Sequence, residues 1–177
     1  MSEQPTQSGL RIGGTFHIEC FDKDGNIKWV EDTHNLITNQ GLNHILNVVL
    51  DAATQITAWY CALVETDTAA AAGMTYAVPV YTETTTYAPG TRPEYVEAAS
   101  TAQSTTNSAS KAVFTMNATK TLYGAALVGG GSAATTKGNT AGGGTLLCYA
   151  KFTASRAVVD TDVCNLTYTL SAADDGV

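Results

Sequence analysis

NLITNQGLNHILNVVLDAATQITAWYCALV, residues 35–64, is where a well-signalled helix runs directly into a strongly apolar strand. Thr38 or Asn39 can cap the helix by accepting from its free N–H groups. Apolar residues then recur at Leu42, Ile45, Leu46, Val49 and Leu50, the spacing of one buried helical stripe. Asn43, His44, Asn47 and Asp51 fall on the opposite side, so the spacing predicts an amphipathic helix over 39–50 lying on a core. Burying such a stripe contributes roughly 1.5–3 kcal/mol per side chain before ordering entropy is subtracted, and Leu46→Asp is expected to break the fold. From Ile56 to Val64 the pattern changes to β-branched, aromatic and apolar residues on both faces. That fits a strand covered on one side by a second sheet and on the other by the helix or a neighbouring subunit.

Working outward, 177 residues at 44% hydrophobic content can build one domain with a real core. Only 14% are charged, while Ala, Thr, Ser and Gly abound, which suits sheet packing and protein–protein contact. The net charge is −7 and the nine basic residues are scattered from Arg11 to Arg156, so no basic stripe is offered to nucleic acid. No apolar run reaches the roughly 18 residues of a membrane span, and MSEQPTQSG lacks the regions of a signal peptide. Neither a nucleic-acid nor a membrane partner is expected, and synthesis in a cytoplasm is.

Residues 1–10 read as a flexible tail and 11–34 as a β-hairpin arm, with Asp24-Gly25 at the turn. Phe16, Ile18 and Cys20 share one face of that hairpin and His17 and Glu19 the other. Asp22-x-Asp24-Gly25-Asn26 resembles half a calcium loop, but no bidentate Glu follows and the flanks are strands, so a plain turn is expected. The domain proper, 35–177, continues with strands at 94–100, 112–116, 121–128, 146–152 and 163–170. The long connection from Thr66 to Pro93 carries Tyr76, Tyr81 and Tyr87, which either pin the loop to its own sandwich or present a ligand platform. The glycine-rich loop 129–144 lacks the spacing of a phosphate loop. Together these predict a mainly β protein: an antiparallel β-sandwich or jelly roll of about eight strands with one amphipathic helix. Leu42, Ile45, Leu46, Val49, Trp59, Leu63, Phe114 and Tyr168 are its expected core.

Cys20, Cys61, Cys148 and Cys164 lie far apart with no CxxC spacing. They read first as small buried hydrophobes, then as disulfide partners within or between subunits, and last as a zinc site. His17, His34 and His44 form no HExxH or paired-ligand pattern. No catalytic, cofactor or metal residues are assigned, and a non-enzymatic protein is expected.

The segments GTFHIECFDKDGNIKWVEDTHNLITNQGLNHILNVVL at 14–50, TAWYCALVE, TRPEY at 91–95, SASKAVFTMNATKTLYGAALV at 108–128, LLCYAKF and VVDTDVCNLTYTLSA cover nearly the whole chain in order. In them the chain resembles a family of structural proteins of tailed bacteriophages. The resemblance implies a virion component made in the bacterial host cytoplasm. First among its readings is a capsid decoration or cement protein on the shell exterior, bound to the major capsid protein and to copies of itself, with a trimer fitting a threefold site. A tail or fibre-attachment protein is the second reading the resemblance allows; separately from it, Tyr76, Tyr81 and Tyr87 as one exposed face would support a third reading, a host-surface glycan-binding module. Cys61 stands where that family usually has a small or aliphatic residue, and the extra cysteines suggest covalent cross-linking of the particle. Phe21 and Trp29 of the hairpin arm are expected at the interface, so a chain lacking 1–31 is expected to fold and yet fail to bind.

Overall fold

In the computed structural model, which describes residues 9–174, the chain opens with β1 (Leu10–Phe21), β2 (Ile27–His34), β3 (Leu36–Ile37) and the helix α1 (Asn39–Leu50). It continues through β4 (Trp59–Val64), β5 (Glu94–Tyr95), β6 (Ser104–Thr106), β7 (Ala112–Thr115), β8 (Lys120–Gly129), β9 (Thr145–Val158) and β10 (Val163–Asp174). All pairings are antiparallel and make two sheets, one in the order β2-β1-β10-β6 with β7 also on β10, the other β3-β9-β8-β4-β5. The predicted β-sandwich with one helix is the observed fold. Most of the predicted 1–10 tail, residues 1–8, lies outside the described residues, and Leu10 already belongs to β1.

The hairpin turn forms as its sequence requires. Asp22 Oδ1 accepts from the Asp24 and Asn26 N–H groups, both at 2.9 Å, and Gly25 takes φ 84°, a left-handed conformation suited to glycine. Hydrogen bonds from the backbone and side chain of Asn26 hold the Asp22 carboxyl below its usual range. The carboxylate of the half calcium loop is thus spent on the turn itself.

The hairpin is not an arm. β1 pairs with β10 along its whole length, from Leu10 opposite Asp174 to Phe21 opposite Val163, and with β2 on its other edge. Phe16, Ile18 and Cys20 are fully buried between the sheets. An alternating strand carries an apolar face that must be covered, and the matching alternation of β10 places that face in the main core. Removing 1–31 would take out an interior strand, so the truncated chain is not a folded domain.

Between the sheets Phe16, Leu63, Phe114, Leu122, Leu127, Leu166 and Tyr168 form the main core. A second core lies on the outer face of the β4–β8–β9 sheet, where Ala62, Val64, Ala126, Val128, Leu146 and Tyr149 pack beneath Met74, Tyr76 and Tyr81. The cover on that face is therefore the 66–93 connection, rather than the helix or a second subunit. This is why β4 and β8 are apolar on both sides.

One side of the sandwich is sealed where β2 meets the free stretch of β9. Glu31, 1% exposed, accepts from the Thr153 N–H at 2.6 Å and from Arg156 Nε at 2.8 Å. Thr33 donates to the Lys151 carbonyl, and Trp29 Nε1 to that of Ala157 at 2.9 Å. Side chains supply here the partners that a strand ladder would otherwise provide.

Candidate interaction surface

α1 begins where Thr38 turns the chain off β3: its hydroxyl accepts from the Gly41 N–H at 3.0 Å and donates to the Leu146 carbonyl, so one side chain both caps the helix and ties it to β9. Gln40 extends the tie, its Oε1 accepting from the N–H groups of Tyr76 at 2.8 Å and Leu146 at 2.9 Å. Gly41 then lets the helix backbone rest directly on β9. A Cβ there would sit 2.3 Å from the Leu147 carbonyl oxygen.

This contact fixes the rotation of the helix. Gly41 is buried, Ile45 packs against the main core, and the His44 ring meets Trp59 edge-on at 5.6 Å. The remainder of the predicted stripe faces away: Leu46 is 54% exposed, Val49 72% and Leu50 79%, with Leu42 also exposed. Leu42, Leu46 and Val49 are thus not core residues, and Leu46→Asp is not a fold-breaking change. Of the other expected core residues, Leu63, Phe114 and Tyr168 are fully buried, while Ile45 and Trp59 are partly buried against the same core. Beside the exposed stripe an apolar groove of about 210 Å³ runs between helix and sheet, lined by Ile45, Val48, Val49, Ile56, Trp59 and Leu147.

The tyrosines expected at an interface do other work. Tyr76 and Tyr87 are buried, and Tyr81, only partly exposed, stacks on Tyr149 at 4.9 Å. No exposed platform forms from the three, because the connection folds back: Tyr76 and Tyr81 cover the second core, and Tyr87 enters the main core against Phe114 at 5.0 Å. Behind them Arg92 and Glu83, 3% and 5% exposed, make a bidentate pair with Nε–Oε1 at 2.9 Å and Nη2–Oε2 at 2.6 Å. Arg92 also donates to the Ala134 and Asn139 carbonyls, and Tyr76 Oη to that of Asn139. Burial alone would lower the guanidinium pKa, but the hydrogen bonds and charge of Glu83 raise it. The pair cross-links the 66–93 and 129–144 loops, and its polar groups are consumed there. Nothing in the TRPEY stretch signalled its buried cation, whose partner lies nine positions upstream.

Phe21 and Trp29 are half-buried, and Trp29 is held by its bond to Ala157 and by Arg156 over its ring at 5.9 Å. All four cysteines are buried free thiols. None is placed to reach a neighbouring subunit, which removes the expected covalent cross-linking between subunits. In the 66–93 connection Val78 and Val80 are both strongly exposed, and Val80 holds φ 69°, a strained value for a β-branched residue.

Among the described residues no group of three or more His, Cys, Asp or Glu side chains is arranged to hold a metal ion, and no helix is long and apolar enough to cross a membrane. No protein-family model matches the sequence, and no curated protein matches it.

Proposed function

We propose that this chain is a non-enzymatic structural protein of a tailed-bacteriophage virion, acting as a capsid decoration protein that docks on the outer shell through α1. The observation that carries the docking surface is the exposed Leu42–Leu46–Val49–Leu50 stripe with its adjoining groove, mounted on a rigid sandwich. A contiguous apolar surface of this kind costs solubility unless a partner covers it. The resemblance supplies the kind of partner: the major capsid protein, with further contacts among copies of the chain itself, a trimer suiting a threefold site. Repetition over a symmetric shell multiplies contacts that are individually small.

Two measurements test the reading. Copies of the protein relative to the major capsid protein are counted in purified particles; hundreds support a shell-wide cement, a few assign it to the tail or one vertex, and none overturns the virion reading. Leu46→Asp is then compared with wild type. The variant is expected to keep its sheet spectrum and melting temperature while losing particle binding by roughly 30-fold or more, the effect of removing a central contact worth about 2 kcal/mol. Undiminished binding would overturn the helix as the docking surface.

A further inference from the structure

We propose that Cys20 and Cys164 are a dithiol pair that closes into a cross-strand disulfide in the folded protein, while Cys61 and Cys148 remain thiols. The register decides the pairing. Cys20 of β1 lies directly opposite Cys164 of β10, and both side chains point into the core with no exposed surface. Directly opposed residues of an antiparallel pair have Cα atoms about 4.5 or 5.5 Å apart, and both spacings lie within the roughly 4.4–6.8 Å that a disulfide spans. Cys61 and Cys148 stand instead on either side of Leu127, each in register with it. A whole strand separates them, about 9–10 Å at two inter-strand spacings, beyond the ~7 Å limit for bridging.

Interaction with the opposed Cys20 and burial raise the Cys164 pKa, while the Lys28–Asp162 ion pair beside the thiols acts on Cys20 in opposite directions. Cys20 ends the regular β1–β2 register next to the hairpin turn, so it is the attacking sulfur and Cys164 the resolving one. Access comes from the strand end: the β1–β2 register breaks between Cys20 and Phe21, and the exposed turn follows at once.

The oxidant is a low-molecular-weight disulfide. Cys20 thiolate attacks one of its sulfurs, breaking the S–S bond and expelling one small thiolate, to leave a mixed disulfide. Cys164, giving up its proton, attacks Cys20 Sγ and expels the second. The protein loses two electrons and two protons, and both are recovered in the two small thiols. The product joins β1 to β10 across nearly the whole chain, constraining the unfolded state most where the closed loop is longest. The inference stands on the sheet geometry and does not depend on what the protein binds.

The test uses the folded full-length protein, fully reduced and then equilibrated with oxidised glutathione. Titratable thiols are expected to fall from four to two, and a non-reducing tryptic map to join the peptide 12–23 to the one beginning at Ala157. Cys61→Ser and Cys148→Ser keep that link; Cys20→Ser and Cys164→Ser lose it. Retention of all the thiols, a linkage through Cys61 or Cys148, or a glutathione adduct that persists on Cys20 would each overturn the pairing, and the wild-type map decides this even if a serine variant fails to fold.

Discussion

Glu31 is the residue whose role is least visible in the chain and largest in the fold. Its carboxylate is buried at the seam between the sheets, accepting from a strand amide, a threonine hydroxyl and Arg156. Glu31→Ala leaves the Thr153 amide and the Arg156 guanidinium without that partner. Because Arg156 is 27% exposed and water can reach it, the loss belongs at the low end of the range for breaking a buried pair, about 3 kcal/mol. Urea unfolding should show this as a lower midpoint at unchanged slope, with a smaller drop for Arg156→Ala. In sequence Glu31 is one acidic residue in a hairpin strand, and nothing local separates it from the solvated Asp32 beside it. Cys20 and Cys164 are a similar case: 144 positions apart in sequence, they become neighbours only through the pairing of β1 with β10.

At the scale of elements, α1 was legible in existence and extent but not in orientation. The cap at Thr38 and the helix at Asn39–Leu50 follow from local hydrogen bonding and spacing. Which face goes inward was set by Gly41, a residue that contributes nothing to an apolar stripe but permits the closest backbone approach. Gly41→Ala should therefore cost more than helix propensity would suggest. The added methyl meets the rigid backbone of Leu147, and the helix must lift from β9, costing roughly 1–3 kcal/mol as overpacked sites do. Thermal melting would check it, and an unchanged or raised Tm would show that the helix does not rest on β9 through this residue. The hairpin, likewise, was legible as a hairpin but not as the centre of a sheet, because an alternating strand carries no mark of how many neighbours it will have.

For the whole molecule, the tyrosines give a pH dependence. Burial pushes Tyr95 and Tyr149 up to about 12, and Tyr87 and Tyr168 also well above the ordinary value of 10. Between those values the unfolded chain loses tyrosine protons that the folded chain keeps. Their contribution to stability is thus complete below about pH 10 and is lost as pH rises toward the folded values. The protein should unfold cooperatively in alkali, with tyrosinate absorbance and loss of the sheet spectrum appearing together. Tyrosines titrating near pH 10 in an intact fold would contradict the packing of both cores.

By itself the sequence determined the class of fold, the helix and its cap, the Asp24-Gly25 turn and the alternating faces of the strands, since each depends on residues within a few positions of one another. Tertiary structure alone decided that the hairpin is internal, that the 66–93 connection covers a second core, and that Arg92 finds Glu83. It also decided that most of the helical stripe is left to solvent. These are outcomes of long-range pairing, in which a side chain's surroundings are set by strands and loops that the local pattern does not encode.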